Sequence, residues 1–92
     1  MSDEAIKKRR ARAKARAIAH YRGMNYSIVM SDDRPFAFIA IRLTDIRFVC
    51  VVVDRITSDD LKSVQGRESP AGCVPEIFCQ KETRFEIREV RE

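Results

Sequence analysis

The stretch 36-FAFIAIRLTDIRFVCVVV-53 decides the fold of this chain. Residues 36–43 and 46–53 are two runs rich in β-branched and aromatic side chains, and Thr44-Asp45 separates them. Two such runs around so short a connection predict a β-hairpin. Because neither run alternates cleanly between apolar and polar residues, we expect both faces of the sheet to be covered at this point.

The flanking segments extend the hairpin into an α/β domain. Apolar runs bounded by turn residues predict three more strands, at residues 25–30, 74–80 and 84–90. The alanine-rich segment 4–22 predicts a helix that Gly23 ends, and residues 58–65 predict a second helix with Ser58 as its N-cap. The expected order is αβββαββ. We therefore expect a single α/β domain over residues 1–92, with a mixed five-stranded sheet flanked by two helices.

The N-terminal helix holds most of the excess positive charge. The net charge of the chain is +4, yet residues 1–22 contain eight basic and two acidic residues, and the rest contains ten basic and twelve acidic ones. Such asymmetry indicates an acidic partner, either nucleic acid or a membrane surface. Helical spacing predicts a sheet-facing stripe that comprises Ile6, Ala13, Ala17, Tyr21 and Met24.

The opposite side of this helix is expected to carry basic residues at Lys8, Arg9, Arg12 and Arg16. A merely solvated helix normally mixes charge signs, and no acidic residue lies between Ala5 and Tyr26. Nucleic-acid phosphate is therefore the preferred partner, and the predicted contact residues are Lys8, Arg9, Arg12, Arg16, Arg22 and Arg34. A membrane-surface role is disfavoured because the apolar face is mostly alanine.

Several segments together resemble a known enzyme family. They are the basic first helix, Arg22-Gly23-Met24-Asn25-Tyr26 before the first strand, Pro35 through Ile41 on the second strand, Ile46 through Val53 on the third, and the closing Arg84-Phe85-Glu86-Ile87. This layout is similar to the PD-(D/E)XK nuclease superfamily, in its Holliday-junction-resolvase-like branch. The resemblance implies a restriction-endonuclease-like core and metal-dependent cleavage of nucleic acid, and relatives of this kind commonly form homodimers.

The residues on which nuclease chemistry depends are missing. The resemblance implies a metal-binding aspartate where this chain has Ala37, and a second ligand and a lysine near Cys50 and Val52. An alanine methyl group cannot bind Mg²⁺ and a valine cannot activate water, since these tasks need oxygen ligands and a charged or polar group. We therefore expect a catalytically inactive nuclease-like domain that binds nucleic acid non-specifically or serves as a subunit in DNA processing, without a cofactor.

Two alternatives stay open. The first is an active nuclease with a displaced or shared site, in which Asp33 or Asp54 would hold Mg²⁺, although turn and strand-end aspartates are ordinary at such positions. The second is a homo-oligomeric interaction module without a nucleic-acid role. Tyr21 and Tyr26 could stack on nucleic-acid bases, but we expect them to close the core instead.

The remaining composition narrows the class of protein further. No apolar run approaches the length of a membrane span, and no apolar signal core follows the basic N-terminus. Three cysteines without a CxxC pair favour reduced thiols and a cytoplasmic location. Neither a nucleophile elbow nor a glycine-rich phosphate loop is present, so we expect no small-molecule substrate.

Overall fold

The computed structural model describes residues 3–32, 34–66 and 72–90. It forms an α/β domain in the predicted order αβββαββ. The elements are α1 (Asp3–Gly23), β1 (Ser27–Met30), β2 (Phe38–Arg42), β3 (Asp45–Val53), α2 (Ser58–Gln65), β4 (Cys73–Gln80) and β5 (Phe85–Glu89). Neither helix in the described part of the chain is long and apolar enough to cross a membrane.

The five strands form one mixed sheet in the order β1-β2-β3-β4-β5. Neighbouring strands are antiparallel except β3 and β4, which run parallel and are connected through α2. Arg42 pairs with Asp45, so the hairpin turn is Leu43-Thr44 and lies one residue earlier than predicted. Leu43 has a φ of 55° and is 95% exposed, which suits a turn residue and explains why its apolar side chain does not extend the strand.

Apolar side chains cover both faces of the sheet, as the hairpin sequence predicts. Successive residues Val49 and Cys50 of β3 point to opposite faces and belong to different clusters. The cluster on the α1 side is Ala17, Tyr21, Tyr26, Phe38, Ala40, Val49 and Phe78. The cluster on the α2 side is Phe36, Cys50, Val64, Ile77 and Val90. The two helices therefore pack on opposite faces.

The end of α1 is closed by Asn25 rather than by the predicted Gly23. Asn25 adopts a left-handed conformation with a φ of 68°. The amide of Tyr26 donates to the carbonyl of Tyr21 at 3.0 Å, and the amide of Asn25 donates to the carbonyl of Arg22 at 3.0 Å. This is the hydrogen-bond pattern of a Schellman motif, which asparagine supports almost as well as glycine.

The start of α2 also differs by one residue from the prediction. Thr57, not Ser58, is the N-cap, and its hydroxyl accepts from the amide of Asp60 at 3.1 Å. The Asp60 carboxylate accepts in return from the amide of Thr57 at 2.9 Å. Serine is the better cap by residue type, and the reciprocal bond from Asp60 selects Thr57 instead.

The sheet-facing row of α1 is shifted from the predicted one. Ala13, Ala17 and Tyr21 are buried as expected. Ile6 is 36% exposed and Met24 is 42% exposed, so both ends of the predicted stripe lie outside the core. Arg9, placed by prediction on the outer side, precedes Ala13 by four residues and thus continues the inner row toward the sheet.

Candidate nucleic-acid interface

Helix α1 presents a set of basic side chains, here called the basic surface. Its members are exposed, and they are Lys7, Lys8, Arg10, Arg12, Arg16 and Arg22. Within the described residues, no carboxylate lies within 4.0 Å of any of their charged groups. The helix is about 30 Å long at 1.5 Å per residue. Its charge is thus spread along a rod and is available to an external anion.

Grooves lie along both flanks of α1. On one flank, Arg12 and Arg16 line a groove of about 170 Å³ together with Lys81 and Glu82. On the other flank, a larger groove of about 870 Å³ lies between α1 and the β1–β2 loop. Its basic lining residues are Arg10 and Lys14 from α1 and Arg34 from the loop. The predicted contact residue Arg34 is therefore brought next to α1, whereas Arg22 lies near the helix end.

Arg10 and Lys14 were missed by the sequence interpretation, which followed a single outer stripe. They lie four residues apart on the flank that faces Arg34. The signal that the sequence offered was the i,i+4 spacing of these two basic residues, which places them on one side of the helix. The structure thus extends the candidate interface over both flanks of α1.

Arg9 has a different environment from the other cations of α1. Its Nη2 lies 2.6 Å from Oδ1 of Asp54, in a pair whose side chains are 41% and 59% exposed. Exposed pairs of this kind contribute about 0–1 kcal/mol to stability. Arg9 is therefore engaged in an intramolecular ion pair, because its position in the sheet-facing row brings it close to Asp54, the residue that follows β3.

Ala37, Cys50 and Val52 occupy the positions at which the resemblance implies catalytic residues, and they do not lie on one face of the sheet. Ala37 packs against the cluster on the α1 side, while Cys50 belongs to the α2-side cluster and Val52 packs against it. Burial raises the pKa of the Cys50 thiol to about 11, and the nearby Asp60 carboxylate contributes in the same direction. The thiol is thus protonated at neutral pH and is a poor metal ligand.

Of the two carboxylates considered for a displaced metal site, only Asp54 lies in the described part of the chain. Asp54 is the ion-pair partner of Arg9, and Asp33 lies outside the described residues. Residues 3–32, 34–66 and 72–90 contain no group of three or more His, Cys, Asp or Glu side chains that would hold a metal ion.

A buried polar network holds α1 on the sheet. The Glu76 carboxylate, 1% exposed, accepts a hydrogen bond from the Tyr21 hydroxyl and another from Nη1 of Arg47 at 2.8 Å. Burial, followed by the hydrogen bond to Glu76, raises the pKa of Tyr21 above its usual range, so the hydroxyl remains a donor. Helix α1 and strands β3 and β4 therefore meet at one satisfied carboxylate.

Arg47 connects this carboxylate to two more. Its guanidinium donates to Asp45 at 3.0 Å and to Glu89 at 3.1 Å. The hydrogen bond from the Tyr26 hydroxyl, assisted by Arg47, lowers the pKa of Asp45. Tyr21 and Tyr26 are only 2% and 5% exposed, so they close the core as the sequence interpretation expected.

Comparison of the chain with models of protein families, with curated proteins and with solved structures yields no match.

Proposed function

We propose that this domain binds nucleic acid without sequence preference, through phosphate contacts of the basic surface on α1. The observation that carries the proposal is the set of six exposed cations with no carboxylate within 4.0 Å in the described chain. Lys14 and Arg34 line the groove beside Arg10 and extend the same positive region along one flank. Side chains on a rigid helix can contact several successive phosphates of a nucleic-acid strand, and such contacts carry no base specificity.

Removal of three charges from one flank should weaken binding and flatten its salt dependence. In the variant Lys8→Gln/Arg12→Gln/Arg16→Gln, we expect affinity for a 20-nucleotide DNA to fall at least about tenfold at low salt. The slope of log affinity against log salt should drop by about 2, since each phosphate contact to a single strand contributes about 0.7. Fluorescence anisotropy of labelled DNA over a series of salt concentrations measures both quantities.

A matched control removes the same net charge elsewhere. Arg42→Gln/Lys62→Gln/Arg88→Gln changes three exposed basic residues that are outside α1. The control should keep the wild-type salt slope. Equal losses in both triple variants would mean that net charge, rather than the basic surface, governs binding, and a salt-independent affinity of the wild type would contradict the proposal outright.

The proposal includes a restriction-endonuclease-like fold and the loss of nuclease activity. A mixed sheet, helices on opposite faces and the order αβββαββ support a restriction-endonuclease-like domain whose active site has been lost. The methyl group of Ala37, the protonated thiol of Cys50 and the side chain of Val52 supply no hard ligand. We infer a role as a non-catalytic, DNA-binding part of a DNA-processing assembly.

Incubation with branched and linear DNA should therefore leave both substrates intact. We expect no cleavage with Mn²⁺ or Mg²⁺ under conditions in which anisotropy shows that the DNA is bound, because no described carboxylate cluster can hold the ion. Gel electrophoresis of end-labelled substrates is the measurement. Metal-dependent cleavage that disappears in Asp54→Asn or Asp33→Asn would instead identify a displaced nuclease site.

A further inference from the structure

Another groove lies where α1 passes strand β5, and it contains an exposed aromatic ring. This groove, here called the Phe85 groove, has a volume of about 590 Å³, within the range of about 300–1,000 Å³ usual for small-ligand sites. It is lined by Arg16, His20, Phe78, Thr83, Arg84 and Phe85, among others. Arg16 also lines the groove that begins at Arg12, so the two grooves are continuous at that residue.

The ring of Phe85 is both supported and accessible. It stacks on the buried Phe78 with the ring centroids 5.0 Å apart and an angle of 15° between the planes. His20 approaches at 4.8 Å with a tilt of 58°, and Phe85 nevertheless remains 46% exposed. Phe78 covers one face of the ring, and the exposed part of Phe85 is available for a second flat ring to stack on.

The turn before Phe85 is braced by hydrogen bonds. The amide of Lys81 donates to the carbonyl of Arg84 at 2.7 Å, and Nε2 of Gln80 donates to the carbonyls of Lys81 and Arg84 at 2.7 and 3.2 Å. These bonds hold the chain that leads into the ring. An aromatic platform that is already in place loses little conformational entropy on binding.

We propose that the Phe85 groove takes an unstacked nucleobase, and that single-stranded nucleic acid is therefore the preferred ligand of this domain. The inference rests on the proposed function, since it requires that phosphates contact the basic surface. The charge of the groove suits a phosphate-bearing ligand, because its lining contains two arginines, Arg16 and Arg84, and one carboxylate, Glu82. Stacking on an aromatic ring beside cations is how sequence-tolerant single-strand binders hold bases.

A duplex cannot use the platform in the same way. Its bases are paired and stacked within the helix, so none of them reaches a ring on the side of a protein groove unless it is first extruded at a cost. The duplex is thus left with phosphate contacts alone. Replacement of Phe85 should therefore weaken binding of the single strand and leave binding of the duplex unchanged.

The chain contains no tryptophan, which makes a direct test possible. The variant Phe85→Trp keeps an aromatic platform and introduces a single fluorophore at the proposed stacking site. We expect addition of oligothymidine to quench its fluorescence by at least about one third, and addition of a duplex of equal length to leave the fluorescence nearly unchanged. Val29→Trp is the matched control, because Val29 is 48% exposed and lies on β1, at the opposite edge of the sheet. Its fluorescence should not respond to either ligand.

A second variant measures the contribution to affinity. Phe85→Leu should weaken binding of oligothymidine about tenfold while its salt slope and its duplex affinity stay as in the wild type, since stacking adds no counterion release. A cooperative thermal unfolding transition, compared with that of the wild type, checks that the variant is folded. Bound oligothymidine without quenching in Phe85→Trp, or equal losses for single strand and duplex in Phe85→Leu, would overturn the inference and leave phosphate binding in place. Failure of the wild type to bind either ligand would instead refute the proposed function.

Discussion

Arg47→Met is expected to destabilise the domain by about 3–5 kcal/mol. The substitution removes the cation that faces Glu76, a carboxylate that is 1% exposed. A buried charge that loses its partner costs far more than the intact pair contributes, because the carboxylate cannot regain water in the folded state. Urea unfolding followed by circular dichroism gives the free energy of unfolding, and an unchanged m-value would show that the unfolding transition is otherwise the same.

Two further variants separate the buried charge from ordinary loss of packing. Arg88→Met removes an arginine whose ion pair with Glu86 at 3.2 Å is exposed, and it should cost at most about 1 kcal/mol. Arg47→Met/Glu76→Met removes both charges and should be more stable than Arg47→Met alone. If Arg47→Met costs no more than Arg88→Met, the network contributes nothing beyond a surface pair.

Phe38→Ala should cost about 3–5 kcal/mol. Phe38 is fully buried at the centre of the α1-side cluster, and its ring packs edge-on against Tyr21 at a centroid distance of 5.7 Å. Truncation leaves a cavity between α1 and β2 that neighbouring rings cannot fill. Since small domains have total stabilities of about 5–15 kcal/mol, we expect a visible fall in the thermal midpoint.

Leu43→Ala is the comparison that tests the role of burial. Leu43 is as apolar as most core residues but is 95% exposed in the β2–β3 turn. Its truncation should change the free energy of unfolding by about 0.5 kcal/mol or less. A loss at Leu43 as large as that at Phe38 would show that the turn residue packs against something in solution, for example a second copy of the chain.

The sequence predicted the elements of the fold because hydrophobic periodicity and turn residues act locally. The hairpin, both helices and the two closing strands lie where the patterns placed them, with shifts of one or two residues. The shifts occur where neighbouring residues are both acceptable at an element boundary, as with Thr57 and Ser58 at the start of α2. Thr57 is the N-cap because the side chain of Asp60, three residues later, completes a capping box with it.

The candidate site was less predictable because its key features arise from distant parts of the chain. Arg9 looked like its basic neighbours, and only the position of Asp54 in space distinguishes it. Glu76 is the one charged residue of strand β4, and no local sequence pattern predicts that Tyr21 and Arg47 contact it. Phe85 could be assigned to a strand from its sequence, but its exposure depends on how closely α1 passes.

The network around Glu76 also has a consequence for the thermodynamics of binding. Helix α1 cannot lift off the sheet without depriving a buried carboxylate of the Tyr21 hydroxyl, so partial detachment of the helix is costly. The cations on its outer side are thus held on a fixed backbone before any ligand arrives. Association then requires the ordering of side chains alone, and the entropy that a disordered basic tail would lose on binding is not lost here.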